Sequence, residues 1–277
     1  MSRFVEFQVG AIPCWAVSDA GAPEPMHVDD WKLTAEPDEL QSWFDARGED
    51  LGAIPLEWIC LLARLGDKYL LVEAGSGPKG NGNTGCLVAH LRELGITPDR
   101  IDTLVVTHTH YDHIGGTLDA EGQPVFPNAR VVLYEGEREQ LALTAPVSYV
   151  LYEAAQDYLP KLGDAVQYLP DGGEVLPGVR LMACPGHTIG HTGVLLRSQG
   201  QRLLFTGDLF YHALQVEHPG WNSQYDLCPD QTPHSRVKVY QWAAHEGVTV
   251  LPAHVPLPGL GRIVLRADGG YGWEPLT

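Results

Sequence analysis

An α/β layered domain is the fold class this sequence predicts, and three observations carry it. From residue 68 onward, short apolar runs alternate with stretches whose apolar residues recur at helical spacing. One pair of runs, TGVLLRS (192–198) and QRLLFTGD (201–208), is separated by two residues and reads as a hairpin. Four apolar runs end in a histidine or an aspartate, just past the carboxyl ends of strands, where open α/β sheets bind what they act on.

Taken in order, the segment 20–55 is rich in Pro, Asp and Glu and predicts one short helix near Asp38–Ala46 between irregular stretches. KYLLVEAG (68–75) predicts a strand ending at a glycine. TGCLVAHLRELG (84–95) puts Leu87, Leu91 and Leu94 at helical spacing and stops at Gly95, with Pro98 beyond. IDTLVVTH (101–108) is a short apolar strand, and ARVVLYEGEREQLAL (129–143) is a strand running into a helix. Residues 148–161 predict a second, amphipathic helix. VRLMACPGH (179–187) precedes the hairpin. A helix opened by Pro233 then closes near Gly247, where VTVLPAH (248–254) begins. No solenoid-period repeat, low-complexity segment or linker divides the chain. One domain over 1–277 is expected, with 20–55 as an N-terminal excursion lining the pocket beside loops at 144–160 and 210–232.

Composition narrows the function. Of 277 residues, 44% are hydrophobic and 19% charged, as in an ordinary globular protein. No apolar run approaches the roughly 18 residues that span a bilayer. The first residues, MSRFVEFQVGAIPCW, lack the apolar core of a signal peptide, so the cytoplasm is the expected location. Cys14, Cys60, Cys86, Cys184 and Cys228 are scattered and odd in number, which argues for buried thiols over disulfides or a thiolate metal site. A net charge of −17 repels phosphate backbones and anionic membranes, so neither nucleic acid nor membrane is an expected partner. The expected partner is a small molecule, and a homodimer is compatible with the sequence.

The densest chemistry lies in THTHYDHIGG (107–116). Alternate residues of an extended segment point the same way, so His108 and His110 share one side. Asp112 and His113 follow as the chain turns into its glycines. Four ligands this close do not all reach one tetrahedral ion, and two ions sharing them is the simpler geometry. Imidazole and carboxylate suit Zn²⁺, and Mn, Fe or Co accept the same set. His187, Asp208 and His254, each at a strand end, supply the remaining ligands.

These blocks, HxHxDH (108–113), PGHTIGH (185–191), FTGD (205–208) and PAH (252–254), occur in the order found in metallo-β-lactamase-fold hydrolases, which the chain resembles from about Leu56 to Ile263. The resemblance implies an αββα sandwich, two mixed sheets flanked by helices, with two divalent ions, zinc first among them, at the sandwich edge. It assigns His108, His110 and His187 to one ion, Asp112, His113 and His254 to the other, and Asp208 as a bridge. One departure stands out: the family's VDTG is VEAG here, with Glu73 in place of aspartate. The stretch GDLFYHALQVEHPGWNSQYD (207–226) is most similar to the branch of methyl parathion hydrolase and acyl-homoserine-lactone lactonases. Glyoxalase II-like thioesterases share FTGD and GHT, but PAHVPLPGLGRI (252–263) differs from their ending.

The implied reaction is hydrolysis of a small ester-like bond, a lactone first, by a hydroxide bridging two ions about 3.5–4 Å apart. Aryl esters, phosphotriesters, thioesters, or an iron-dependent redox reaction on the same fold are the alternatives. No Ser/His/Asp triad or GxSxG motif is present. Asp112 and Asp208 carry the catalytic assignment, with Tyr211 and His212, which follow the bridging aspartate, as candidate substrate contacts. His191 is expected to hydrogen-bond within its own turn.

Overall fold

Successive side chains of a strand point to opposite faces, and this period of two decides which side chains meet between the layers and which face the helices. The central strands are buried on both faces, as over Ile59–Ala63 and Thr192–Leu196. The structure is a computed structural model that describes residues 3–21, 25–80, 82–142 and 150–276. The first sheet contains β1 (Phe4–Val9), β2 (Ile12–Ser18), β3 (Ile59–Leu65), β4 (Lys68–Val72), β5 (Ile101–Val105), β6 (Arg130–Tyr134) and β7 (Val166–Leu169). The second contains β8 (Glu174–Leu176), β9 (Val179–Ala183), β10 (Thr192–Ser198), β11 (Gln201–Gly207), β12 (Thr249–Pro252), β13 (Gly261–Leu265) and β14 (Tyr271–Pro275). Strands lie side by side in chain order within each sheet. Both sheets are mixed: β4 to β7 are parallel in the first and β11 with β12 in the second, the other pairs being antiparallel.

Helices fill the outer layers and the connections: α1 (Pro37–Asp45), α2 (Leu87–Glu93), α3 (Tyr111–Ile114), α4 (Glu137–Ala142), α5 (Val150–Leu162), α6 (Ala213–Glu217) and α7 (Thr232–Glu246). Leu61, Leu70, Val72 and Val105 of the first sheet meet Val179, Val194, Leu203 and Phe205 of the second in one buried cluster. Their strand neighbours Leu62, Leu71 and Leu104 point the other way, onto Leu87 and Leu91 of α2 and Leu159 of α5. Leu195, Leu204 and Val250 do the same against Val239, Tyr240 and Ala243 of α7. The result is the αββα sandwich. Each fully buried Leu or Val in these layers contributes about 1.5–3 kcal/mol.

The N-terminal hairpin β1–β2 and β3 lie outside the strand rhythm read from residue 68. Pro13 obscures β2, since proline inside an apolar run argues against an inner strand. The structure resolves this by register: β3 pairs with β2 only from Cys14 onward, so Pro13 sits beyond that ladder. The helix predicted over 84–95 is shorter, Leu87–Glu93. The start of the helix predicted over 148–161, and much of the loop predicted from 144, fall outside the described residues. No helix among the described residues is long and apolar enough to cross a membrane.

The excursion, described from residue 25, folds back over one end of the sandwich. Trp31, Trp43, Phe44, Ile54 and Leu56 cluster there with Tyr211 and Leu214 from the chain that follows β11.

Candidate metal centre

Beyond β5 the chain bends at Thr107 and His108, is extended at His110 and then turns into the single-turn helix α3. His108 and His110 come together at the site, and Thr107 and Thr109 reach buried glutamates behind it. The threonines are anchored. Thr107 Oγ1 donates to Glu73 Oε1 at 2.5 Å, while Thr109 donates to Glu137 Oε2 from Oγ1 at 2.6 Å and from its backbone N–H at 3.2 Å. Glu73 holds this position in the left-handed region, φ 70°, rare for a residue with a β-carbon and costing on the order of 1 kcal/mol. Its oxygen also lies 3.3 Å from His113 Nδ1. The longer side chain thus still supports the ligand loop from below.

His187, Asp208 and His254 follow β9, β11 and β12 at the same end of the sandwich. Gly207, at φ 52°, lets β11 turn there; a Cβ would meet Thr107 Oγ1 at 2.7 Å and His191 Nε2 at 2.9 Å. His191 is buried and linked to the turn it stands in. Its Nδ1 donates to the Cys184 carbonyl at 3.1 Å and its Nε2 accepts from the Asp208 N–H at 3.0 Å. Burial pushes this imidazole down to about 3, so it stays neutral and can play both parts.

The seven sequence-derived ligands converge. His110 Nδ1 lies 3.0 Å from His108 Nε2 and 2.9 Å from His187 Nε2. Asp112 Oδ2 lies 3.5 Å from His113 Nε2 and 3.6 Å from His254 Nε2. Asp208 stands between the two groups. Its Oδ2 is 3.4 Å from His187 Nε2 and 4.0 Å from His108 Nε2, and its Oδ1 is 3.2 Å from both His113 Nε2 and His254 Nε2. Ligand atoms of His108, His110 and His187 lie within 4.8 Å of one another, as do those of Asp112, His113 and His254.

The electrostatics of this set call for positive charge. Burial holds His108 and His110 well below their ordinary value, so both are neutral and free to donate a lone pair. At His113 burial works the same way, but Asp208, Asp112 and Glu73 outweigh it and raise the imidazole well above its usual range. At Asp208 the opposing cost of burial is overcome by His113 and His254, which hold the carboxyl well below the usual carboxylate range. Buried Asp208 Oδ1 and His113 Nε2 face each other at 3.2 Å but make no well-formed hydrogen bond among the described residues. A cation between them satisfies both, and the donor set fits zinc-like ions.

A second layer orients the imidazoles, as metal-binding histidines require. His187 Nδ1 lies 2.9 Å from Tyr211 Oη and 3.3 Å from Asp226 Oδ1. Asp226 pairs in turn with fully buried Arg236, Oδ2 to Nη2 at 3.1 Å. Arg236 also donates to the carbonyls of Leu209, Pro219 and Trp221, which fixes the loop carrying Tyr211. His254 Nδ1 meets the Glu57 carbonyl at 2.8 Å. Asp226, Arg236, Glu57 and Glu137 were not singled out from the sequence. Asp226 closes the stretch 207–226 used for the resemblance, but only its contact with His187 reveals its part.

Over the ligands lies a cavity of about 140 Å³, lined by Met26, Trp31, Leu56 and Trp58 on one side and by Tyr111, Tyr211 and Tyr225 on another, with His110, Asp112, His187, Asp208 and His254 as its floor. Tyr211 faces it. Burial, with Asp226 and Asp208 nearby, raises its phenol well above the ordinary value, so it remains a donor. His212 does not line this cavity, contrary to its reading as a candidate substrate contact. Its backbone is extended, and the ring packs among Trp31, Trp43 and Phe44. Nδ1 caps α6 by accepting from the Leu214 N–H at 3.4 Å, and Nε2 lies 3.4 Å from Glu49. Burial, helped by Arg47, pushes this imidazole down to about 4, which keeps the cap neutral.

Residues 60–254 match the family model described as the metallo-beta-lactamase superfamily. A protein of Mycobacterium tuberculosis described as a "probable metallo-hydrolase" is 31% identical over 137 residues, 44% of this chain and 41% of that protein. The N-acyl homoserine lactonase of Bacillus cereus is 30% identical over 132 residues, 45% of each chain. The matched segment thus spans less than half the length of these relatives. Among solved structures, AidC, described as a dizinc quorum-quenching lactonase in complex with a product, superposes with a TM-score of 0.91 over 99% of this chain and 97% of its own, at 23% identity. That likeness establishes a shared fold.

Proposed function

This chain belongs to the metallo-beta-lactamase superfamily, and from that premise we propose that it is a dinuclear metal-dependent hydrolase of small neutral esters, with a lactone as its preferred substrate. The observation that carries the reading is the placement of Asp208, with one carboxylate oxygen toward His108 and His187 and the other toward His113 and His254. His108, His110 and His187 would hold a first ion, Asp112, His113 and His254 a second, and Asp208 both. When bound, such ions supply a water acidified from 15.7 towards about 7 and a Lewis acid for the carbonyl oxygen.

The protein's own groups do the rest. Tyr211 stays protonated and lines the cavity, so its hydroxyl can donate to an oxygen that gains charge as the carbonyl is attacked. Met26, Trp31, Leu56 and Trp58 present an apolar wall to the remainder of the substrate and exclude water around it. Among the described residues lining the cavity there is no Lys or Arg. Among the described lining residues, an anionic thioester or a carboxylate-bearing ring would meet the carboxylates of Asp112 and Asp208 and no Lys or Arg. At about 140 Å³ the cavity is below the roughly 300–1,000 Å³ of drug-sized sites, which favours a short acyl group.

A panel of lactones, aryl esters, phosphotriesters and thioesters on zinc-loaded protein tests this. The highest kcat/KM is expected for a neutral lactone with a short side chain. Activity confined to anionic thioesters, or no ester hydrolysis at all, would refute the proposal. The metal assignment has its own check. His254→Ala should empty the second position and leave the first filled, so elemental analysis should fall from two ions per chain to one. Equal loss from both positions would count against the split. The fold should survive, since its core is the apolar packing between and outside the sheets.

A further inference from the structure

We propose that Glu137 is a positioning residue for the first metal position, acting by tying together the two loops that supply its histidines; this rests on the dinuclear reading above. Glu137 is the first residue of α4 and is fully buried. Its two carboxylate oxygens part company. Oε2 accepts from Thr109, which stands between His108 and His110, and Oε1 accepts from Thr188 Oγ1 at 2.5 Å, next to His187. The two loops come from different sheets, one after β5 and the other after β9. One carboxylate therefore spans the seam that the first ion would have to span from above.

Packing at the same point fixes the distance. A Cβ on Gly190 would run into the backbone of Gly136 and Glu137, so the loop after His187 rests directly on the start of α4. The approach is close enough that any side chain at 190 would push the His187 loop away from Thr109. Glu73 provides the contrast. It holds Thr107 and stands beside His113, on the side of the second position. In the run Thr107-His108-Thr109-His110 the two threonines face two different buried glutamates. Glu73 stands beside His113 and, through Thr107 Oγ1 at 3.1 Å from His108 Nδ1, serves both positions, whereas Glu137 joins only the loops of the first.

A residue that merely stabilised the fold would weaken both positions alike. A positioning residue for the first should weaken that one, by the 10- to 100-fold typical of groups that orient metal ligands. The experiment measures zinc affinity of the full chain by competition with a chromophoric chelator in two backgrounds. His254→Ala leaves the first position to be read, and His187→Ala leaves the second. Glu137→Gln is expected to lower affinity 10- to 100-fold in the first background and to leave it within about threefold in the second. Should that variant fail to fold, Thr188→Val removes one arm with nearly the same shape, and the same asymmetry is expected, with Thr188→Ser restoring affinity. Equal weakening in both backgrounds, or none in either, overturns the role given to Glu137. A wild-type chain that binds fewer than two zinc ions overturns the dinuclear reading and this inference together. A wild type that binds two, with variants that do not discriminate, overturns this inference alone.

Discussion

Asp208→Ala is expected to remove measurable turnover and to lower zinc occupancy at both positions, unlike His254→Ala, which should spare one. Two features make this effect the largest. The carboxylate offers one oxygen to each group of imidazoles, so neither position is complete without it. It is also one of only two anions, with Asp112, in a seven-residue ligand set that would face two dications. Asp208→Asn separates shape from charge: it preserves volume, and it should still lose zinc at both positions because the opposing charge is gone. Elemental analysis with kcat on the same samples decides the matter. An Asp208→Ala protein that retained two tightly bound ions and substantial activity would falsify the bridging assignment.

Tyr211→Phe should lower kcat by about 10²-fold, the usual cost of losing one donor to a developing oxyanion. Zinc content should be unchanged. Tyr211 Oη lies beside the Nδ1 of His187, but Asp226 Oδ1 remains as an acceptor for that N–H. KM should move little, since a group that matters mainly in the transition state affects kcat first. Loss of one buried hydrogen bond should cost about 1 kcal/mol of stability, visible as a small fall in Tm. Kinetics indistinguishable from wild type would mean that the phenol serves only His187. A parallel fall in zinc content would reassign it from substrate to metal ligand support.

What the sequence determined by itself is chemistry that depends on neighbours along the chain. Metal ligands need His and Asp at fixed short spacing, so His108, His110, Asp112 and His113 were readable locally as candidates. His187, Asp208 and His254 were readable because each ends an apolar run, and strand ends in this architecture share an edge. The helix from Pro233 to Gly247 was marked by its own termini, and a short helix near Asp38–Ala46 by the irregular stretches on either side of it. β2 was not, because Pro13 argues against an inner strand, and only the register with β3, which begins at Cys14, accommodates it beyond that ladder.

Tertiary structure alone decided the supports. Glu137 meets Thr188 across 51 residues, and Asp226 meets His187 across 39, distances over which no periodicity carries information. Tyr211 and His212 are adjacent in sequence and equally plausible there as substrate contacts. The aromatic cluster of the 20–55 excursion takes the imidazole of His212 into its packing and leaves the phenol of Tyr211 over the metal ligands. Nothing along the chain distinguishes the two neighbours; the packing around them decides which one faces the cavity.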